Sequence, residues 1–131
     1  MLGRSSYTAD EIAAARKAVK DQLAAFVSAN STDPEFENVY FNNMVLALDR
    51  YFVHRVRAVS GKDGNPLNEV ELISDSLMAN NAILRGNKVI TYRPEVSVLN
   101  IEIGSEIRVT QADFEQLSTA FLEQIDTRFG E

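Results

Sequence analysis

The stretch that decides the fold is residues 39–69, which read VYFNNMVLALDRYFVHRVRAVSGKDGNPLNE. Apolar residues in its first part cover nearly half the circumference of a helix, which is typical of a helix that contacts two or more neighbours. Asp33-Pro34 marks the start of this helix, because Asp is a favoured N-cap and Pro suits the first helical position. We expect it to run to about Val59 and to be the central element of the fold.

Four helices are predicted in all, and each has a recognisable start. A capping residue stands before the first turn, followed by a partner acid or by a proline. The pairs are Thr8 with Glu11, Asp33 with Pro34, Asn65 with Pro66, and Thr110 with Asp113. The first helix is expected over residues 9–29, while Gly86 and Gly130 are expected to end the third and fourth.

Residues 88–109 carry a different pattern, rich in β-branched residues at alternate positions. The alternation changes parity after Val98, which predicts a bulge or two short strands. We therefore expect a small antiparallel β excursion between helices 3 and 4. The predicted fold class is mainly α (α+β), a four-helix bundle-like arrangement that forms a single domain over residues 1–131.

Composition excludes several classes of function. The net charge of −6 disfavours binding to nucleic acid, because phosphate backbones repel an acidic chain. Cysteine is absent, which excludes disulfides and thiolate chemistry. No window approaches the ~20 apolar residues of a membrane span, and the first residues have no apolar stretch of signal-peptide length. We expect a cytoplasmic protein with no membrane partner.

Polar residues with binding chemistry gather on the second predicted helix and in the loop that follows it. Asn43, Arg50, His54 and Arg57 fall within a narrow sector of one continuous helix, and Lys62 follows in the loop. One interpretation is a ligand site in which the arginines hold a carboxylate or phosphate. The alternative is a solvated helix face, or ion pairs with helix 3 through Glu69, Glu71 or Asp75.

The loop at residues 61–66 reads GKDGNP, and it lacks the glycine and hydroxyl positions of a phosphate-binding P-loop. Turn chemistry accounts for it: Gly61 ends one helix in a left-handed conformation and Asn65 caps the next. The other interpretation is an anion site that uses free amides at the start of helix 3 together with Lys62 and Arg57. His54 is the only histidine, so we expect no multi-histidine metal site and no cofactor.

Three phrases, at residues 41–44, 48–55 and 61–70, resemble those of a small uncharacterised bacterial protein family. The resemblance covers most of the chain and implies a bacterial cytosolic protein. It implies no activity and no site residues.

Two hypotheses of function follow from the sequence. The first is a non-enzymatic interaction or regulatory module that forms a homodimer or binds a protein partner, because no catalytic set is recognisable and residues 88–103 are apolar enough to pair at a strand edge. The β segment could instead simply cover the end of the bundle. The alternative function is a protein or enzyme that binds a small anion at Asn43, Arg50, His54, Arg57 and Lys62.

Overall fold

The computed structural model describes residues 3–131, and helices dominate it. These helices are packed against one another and confirm the mainly α class. Their bounds are α1 (Ala9–Ala29), α2 (Pro34–Tyr51), α3 (Arg57–Ser60), α4 (Pro66–Ala79) and α5 (Gln111–Phe129), with a 3₁₀ turn at Pro94–Val96. No helix in the described range is long and apolar enough to cross a membrane.

The four predicted helix starts are confirmed by the hydrogen bonds at their caps. Thr8 accepts from the Glu11 amide at 3.1 Å, and the Glu11 carboxylate accepts from the Thr8 amide. The same reciprocal pair forms between Thr110 and Asp113 at the start of α5. The Asp33 and Asn65 side chains cap α2 and α4 through side-chain oxygens. Local sequence therefore determines where each long helix begins.

The predicted end of the second helix is wrong, because α2 stops at Tyr51 rather than near Val59. Aromatic and β-branched residues follow Tyr51, and these have lower helix propensity. The backbone of residues 52–56 finds other partners: the Arg4 amide donates to the His54 carbonyl at 2.7 Å, and the Val56 amide donates to the Arg4 carbonyl. The short helix α3 begins only after this interruption.

The end of α4 also differs from the prediction, since the helix stops at Ala79 and not at Gly86. Asn81 and Ala82 adopt left-handed backbone conformations, with φ of 54° and 61°. The Asn80 side chain donates to the Ile83 carbonyl at 2.7 Å, which stabilises the turn. Leu84 is buried as expected, although it lies beyond the helix.

The predicted β excursion is wrong: residues 88–109 contain no strand, and the nearest pairing is an isolated bridge between Ile83 and Glu106. Residues 104–107 exchange backbone hydrogen bonds with residues 82–84 around this bridge, whereas side chains satisfy much of the remaining backbone. The Glu69 carboxylate accepts from the amides of Val98 and Leu99 at 2.8 and 3.0 Å, and the Tyr92 hydroxyl donates to the Ile101 carbonyl. The segment is an irregular loop, so it offers no strand edge for self-association.

The core is one cluster of buried side chains between the helices. Helix α5 contacts each of the other four, whereas α2 contacts α1, α4 and α5, so α5 is more central than the predicted α2. The reason is the width of the buried face of α5, which carries Phe114, Leu117, Ser118, Phe121, Leu122, Ile125 and Phe129. A buried face of this width contacts several neighbouring helices, while the opposite side of α5 stays exposed.

Candidate functional site

The five predicted site residues lie on different elements, and none of the recesses described below is lined by all of them. Asn43 and Arg50 lie on α2, His54 lies in the interruption after it, Arg57 begins α3, and Lys62 lies in the following loop. The prediction of one narrow sector depended on an unbroken helix, and α2 ends before His54. Two of the five, Asn43 and Arg50, still share the groove between α2 and α4.

Arg57 is held inside the protein by an extensive set of partners. Its guanidinium donates to both carboxylate oxygens of Glu71, at 2.8 and 2.6 Å, and also to Asn68 and the Gly61 carbonyl. This agrees with the alternative interpretation, in which the basic stripe forms ion pairs with the next long helix. The donors of Arg57 are therefore occupied by the protein itself.

Arg55 is the residue whose structural role the sequence did not reveal. Its side chain is only 5% exposed, and it forms an ion pair with Asp49 at 2.7 Å. The same guanidinium donates to the carbonyls of Phe52 and Leu67 and lies 5.2 Å from the centre of the Phe121 ring. Arg55 thus joins the end of α2 to α4 and α5. In the sequence nothing distinguishes it from the neighbouring arginines.

The loop at residues 61–66 follows the turn interpretation. Gly61 ends α3 with φ of 76°, and the buried Asn65 side chain caps α4 while donating to the Ser60 carbonyl at 2.8 Å. Asn68 donates from its amide to the carbonyls of Gly61 and Asp63. The amides at the start of α4 are thus occupied by Asn65. Of the donors in the predicted anion site, these amides and Arg57 are therefore bonded within the protein, whereas Lys62 is exposed and forms no ion pair within residues 3–131.

The groove between α2 and α4 contains two recesses that share Leu46. The uncharged recess has a volume of about 210 Å³ and is lined by Val39, Asn42, Asn43, Leu46 and Leu77. The charged recess has a volume of about 430 Å³ and is lined by Leu46, Asp49, Arg50, Glu71, Ser74, Asp75 and Met78. The groove therefore joins an apolar half to a half that carries charges of both signs.

A second cavity of similar size, about 450 Å³, lies between the loop at residues 61–66 and the irregular segment. Its charged lining residues are Asp63 and Arg93, and Arg93 pairs with Glu95 at 3.0 Å. The Asn65 side chain in its wall already has partners. This cavity shows fewer free polar groups than the α2–α4 groove does.

Among the described residues, no group of three or more His, Asp or Glu side chains could hold a metal ion. Comparisons of the chain with protein-family models, curated proteins and solved structures found no significant match. The resemblance to an uncharacterised bacterial family therefore stays a prediction. The groove between α2 and α4 is the feature that supports a proposal of function.

Proposed function

We propose that the protein is a non-enzymatic interaction module that pairs with a second copy of itself through the groove between α2 and α4. The observation that supports this proposal is the uncharged recess with apolar side chains exposed beside it. Val39 is 56% exposed at the recess, and Met78 is 75% exposed in the adjoining half of the groove. Covering such side chains removes apolar surface from water, which favours association.

Charge favours a second copy as the occupant. With a net charge of −6, two copies repel one another across most faces of the molecule. The uncharged recess is lined only by Val, Asn and Leu side chains, so two copies can meet there without bringing carboxylates together. A basic partner would gain no attraction from these residues.

The shape of the face suits a symmetric pair. A two-fold interface needs one surface that carries both projecting and receding parts. Val39 and Met78 project on this face, whereas Leu46 and Leu77 are partly buried in it. A two-fold axis that lies in the interface along the groove would place α2 of one copy against α4 of its partner. Each apolar contact would then occur twice.

The test is the substitution Val39→Lys, which places a charge in both halves of the symmetric interface. Burial of a valine contributes about 1.5 kcal/mol or more, and the contact occurs twice, so we expect the dimer dissociation constant to rise about 100-fold. Sedimentation equilibrium over a wide range of protein concentration measures this constant. Circular dichroism of the monomeric variant checks that the helices are intact.

Val27→Lys is the matched control, because Val27 is 58% exposed on α1 and lies outside the groove. Its dissociation constant is expected to equal that of the parent. A parent protein that stays monomeric at every concentration would contradict the proposal. Equal weakening by the two substitutions would show that the copies meet through another face.

A further inference from the structure

The charged recess is lined by three carboxylates and one arginine, and the carboxylates pair with other arginines that lie outside the lining. Each lining carboxylate has an arginine of its own: Asp49 pairs with Arg55 at 2.7 Å, Glu71 with Arg57 at 2.6 Å, and Asp75 with Arg85 at 3.3 Å. Arg50 also lines the recess, and within residues 3–131 it forms no ion pair. Arg50 is thus the unmatched charge of the site.

The same recess contains a buried hydroxyl group without a partner. Ser74 is 6% exposed, and its Oγ makes no hydrogen bond to any described residue. Buried polar atoms in folded proteins are nearly always paired, so an unpaired one needs a reason. Ser74 lines the wall of the recess, and rotation about its χ1 angle to another staggered rotamer would let the hydroxyl meet a ligand atom there.

We infer that the charged recess binds a small carboxylate that carries one negative charge and a short apolar chain. The planar guanidinium of Arg50 suits a carboxylate, to which it can donate two parallel hydrogen bonds. The Ser74 hydroxyl would donate to a carboxylate oxygen or pair with a hydroxyl on the ligand. Leu46 and Met78 supply apolar surface for the chain.

Size and charge select this class of ligand. A volume of about 430 Å³ falls within the range of ~300–1,000 Å³ that is typical of small-molecule sites. A phosphate group carries more negative charge than Arg50 alone can neutralise, because the other arginines near the recess are already paired with its carboxylates. The recess therefore favours a monoanion over a phosphorylated compound.

This inference goes beyond self-association, and its two polar residues play no part in the proposed interface, although Leu46 and Met78 belong to both surfaces. Arg50 and Ser74 line the charged recess and not the uncharged one. Val39 lines only the uncharged recess. The Val39→Lys variant therefore serves as a background in which ligand binding can be measured on a monomer. A failure of one proposal is then distinguishable from a failure of the other.

The experiment is a titration of the protein and of its Val39→Lys variant with butyrate and with lactate. Proton–nitrogen correlation spectra report the shifts of the Ser74 amide and the Arg50 side-chain N–H as ligand is added. Butylamine, which has a similar chain and the opposite charge, and inorganic phosphate are the contrasting probes. We expect saturable shifts at Arg50 and Ser74 with the carboxylates, and far weaker binding of the other two.

Two substitutions test the assignment of residues. Arg50→Gln should raise the dissociation constant at least tenfold, because the charge is lost while the side chain remains polar. Ser74→Ala should weaken binding without lowering the melting temperature, since the Ser74 hydroxyl has no protein partner to lose. Arg93→Gln is the control, because Arg93 is exposed and lies outside the groove.

Several results would overturn the inference. Absence of saturable shifts with both carboxylates would remove the site. Binding that Arg50→Gln and Ser74→Ala leave unchanged would place the carboxylate elsewhere. Binding of butylamine or phosphate as tight as that of butyrate would refute the proposed ligand class.

Discussion

At the scale of single residues, three nearby arginines differ because of their surroundings. Arg50 is exposed and unmatched in the groove, Arg55 is buried in a network, and Arg57 holds both oxygens of Glu71. Burial of a charged group is tolerated when it is paired and hydrogen-bonded, and the terminal nitrogens of Arg55 are bonded in this way although its Nε has no partner. The sequence shows three basic residues near one turn, and only the fold determines which of them remains free.

The buried arginine leads to a prediction for stability. Arg55→Ala leaves Asp49 without its ion pair and removes the guanidinium donors to the carbonyls of Phe52 and Leu67, although the amide of residue 55 still donates to Phe52. We expect the free energy of unfolding to fall by about 3 kcal/mol, as when one partner of a buried pair is removed. Urea denaturation followed by circular dichroism measures the change.

The exposed pair of Arg93 and Glu95 provides the comparison. Arg93→Ala should change the free energy of unfolding by less than about 1 kcal/mol, because exposed ion pairs contribute little. A small effect at Arg55 would mean that the network around the end of α2 does not stabilise the fold.

At the scale of elements, the helix starts were predictable and the helix ends were not. Each start depends on a side chain that caps amides two or three residues away, as Thr8 and Asn65 do. The end of α2 depends instead on Arg4, which lies far away in the sequence and pairs with residues 54–56. Local sequence patterns reveal helix caps, which join residues two or three positions apart. They do not reveal contacts between residues that are far apart in the sequence.

Asn65 supports both the start of α4 and the loop before it, which gives a second prediction for stability. Asn65→Ala removes the cap on the Leu67 amide and the donor to the Ser60 carbonyl at a buried position. We expect a loss of about 2–3 kcal/mol, the sum of a cap and a buried hydrogen bond, while Arg128 still donates to the Ser60 carbonyl. Urea denaturation measures the loss.

Asp33→Ala is the matched control at the exposed start of α2, where only a cap is removed. Its cost should be near 1 kcal/mol. Equal losses in the two variants would show that the Asn65 amide does not organise the loop at residues 61–66.

At the scale of the whole molecule, the helical class and the buried apolar faces followed from periodicity, while the irregular segment did not. Residues 88–109 alternate like strands, yet the Glu69 carboxylate on α4 takes the amides that a neighbouring strand would have paired. Only some of the residues that line the groove between α2 and α4 could be predicted from the sequence. Asn43 and Arg50 were among the predicted site residues, whereas Ser74 looked like an ordinary helical serine.

The stability of the whole molecule depends on pH, and Glu69 affects this dependence in the direction opposite to that of most carboxyl groups. Burial raises the pKa of Glu69, although the amides of Val98 and Leu99 oppose the shift. A carboxyl with a raised pKa binds its proton more tightly in the folded chain than in the unfolded one. Its contribution to stability is therefore greatest below the unfolded pKa of about 4.3 and falls as pH rises through the folded pKa.

We expect the difference in free energy of unfolding between the parent and Glu69→Gln to move in favour of the parent as the pH is lowered from neutral. Urea denaturation of both proteins across this pH range measures the difference. The contributions of the other carboxyl groups are the same in both proteins, so they cancel. Burial also raises the pKa of the neighbouring Tyr92, so this phenol stays neutral throughout. A difference that is flat with pH, or that moves towards the variant, would contradict the prediction.

The pairing of Tyr7 with Gly130 has a consequence for the order of folding. The Tyr7 amide donates to the Phe129 carbonyl at 2.7 Å, which closes nearly the whole described chain into a ring. The entropy lost in closing a loop grows with its length, while helices form from neighbouring residues alone. This contact is therefore expected to form late during folding, after the helices whose ends it joins.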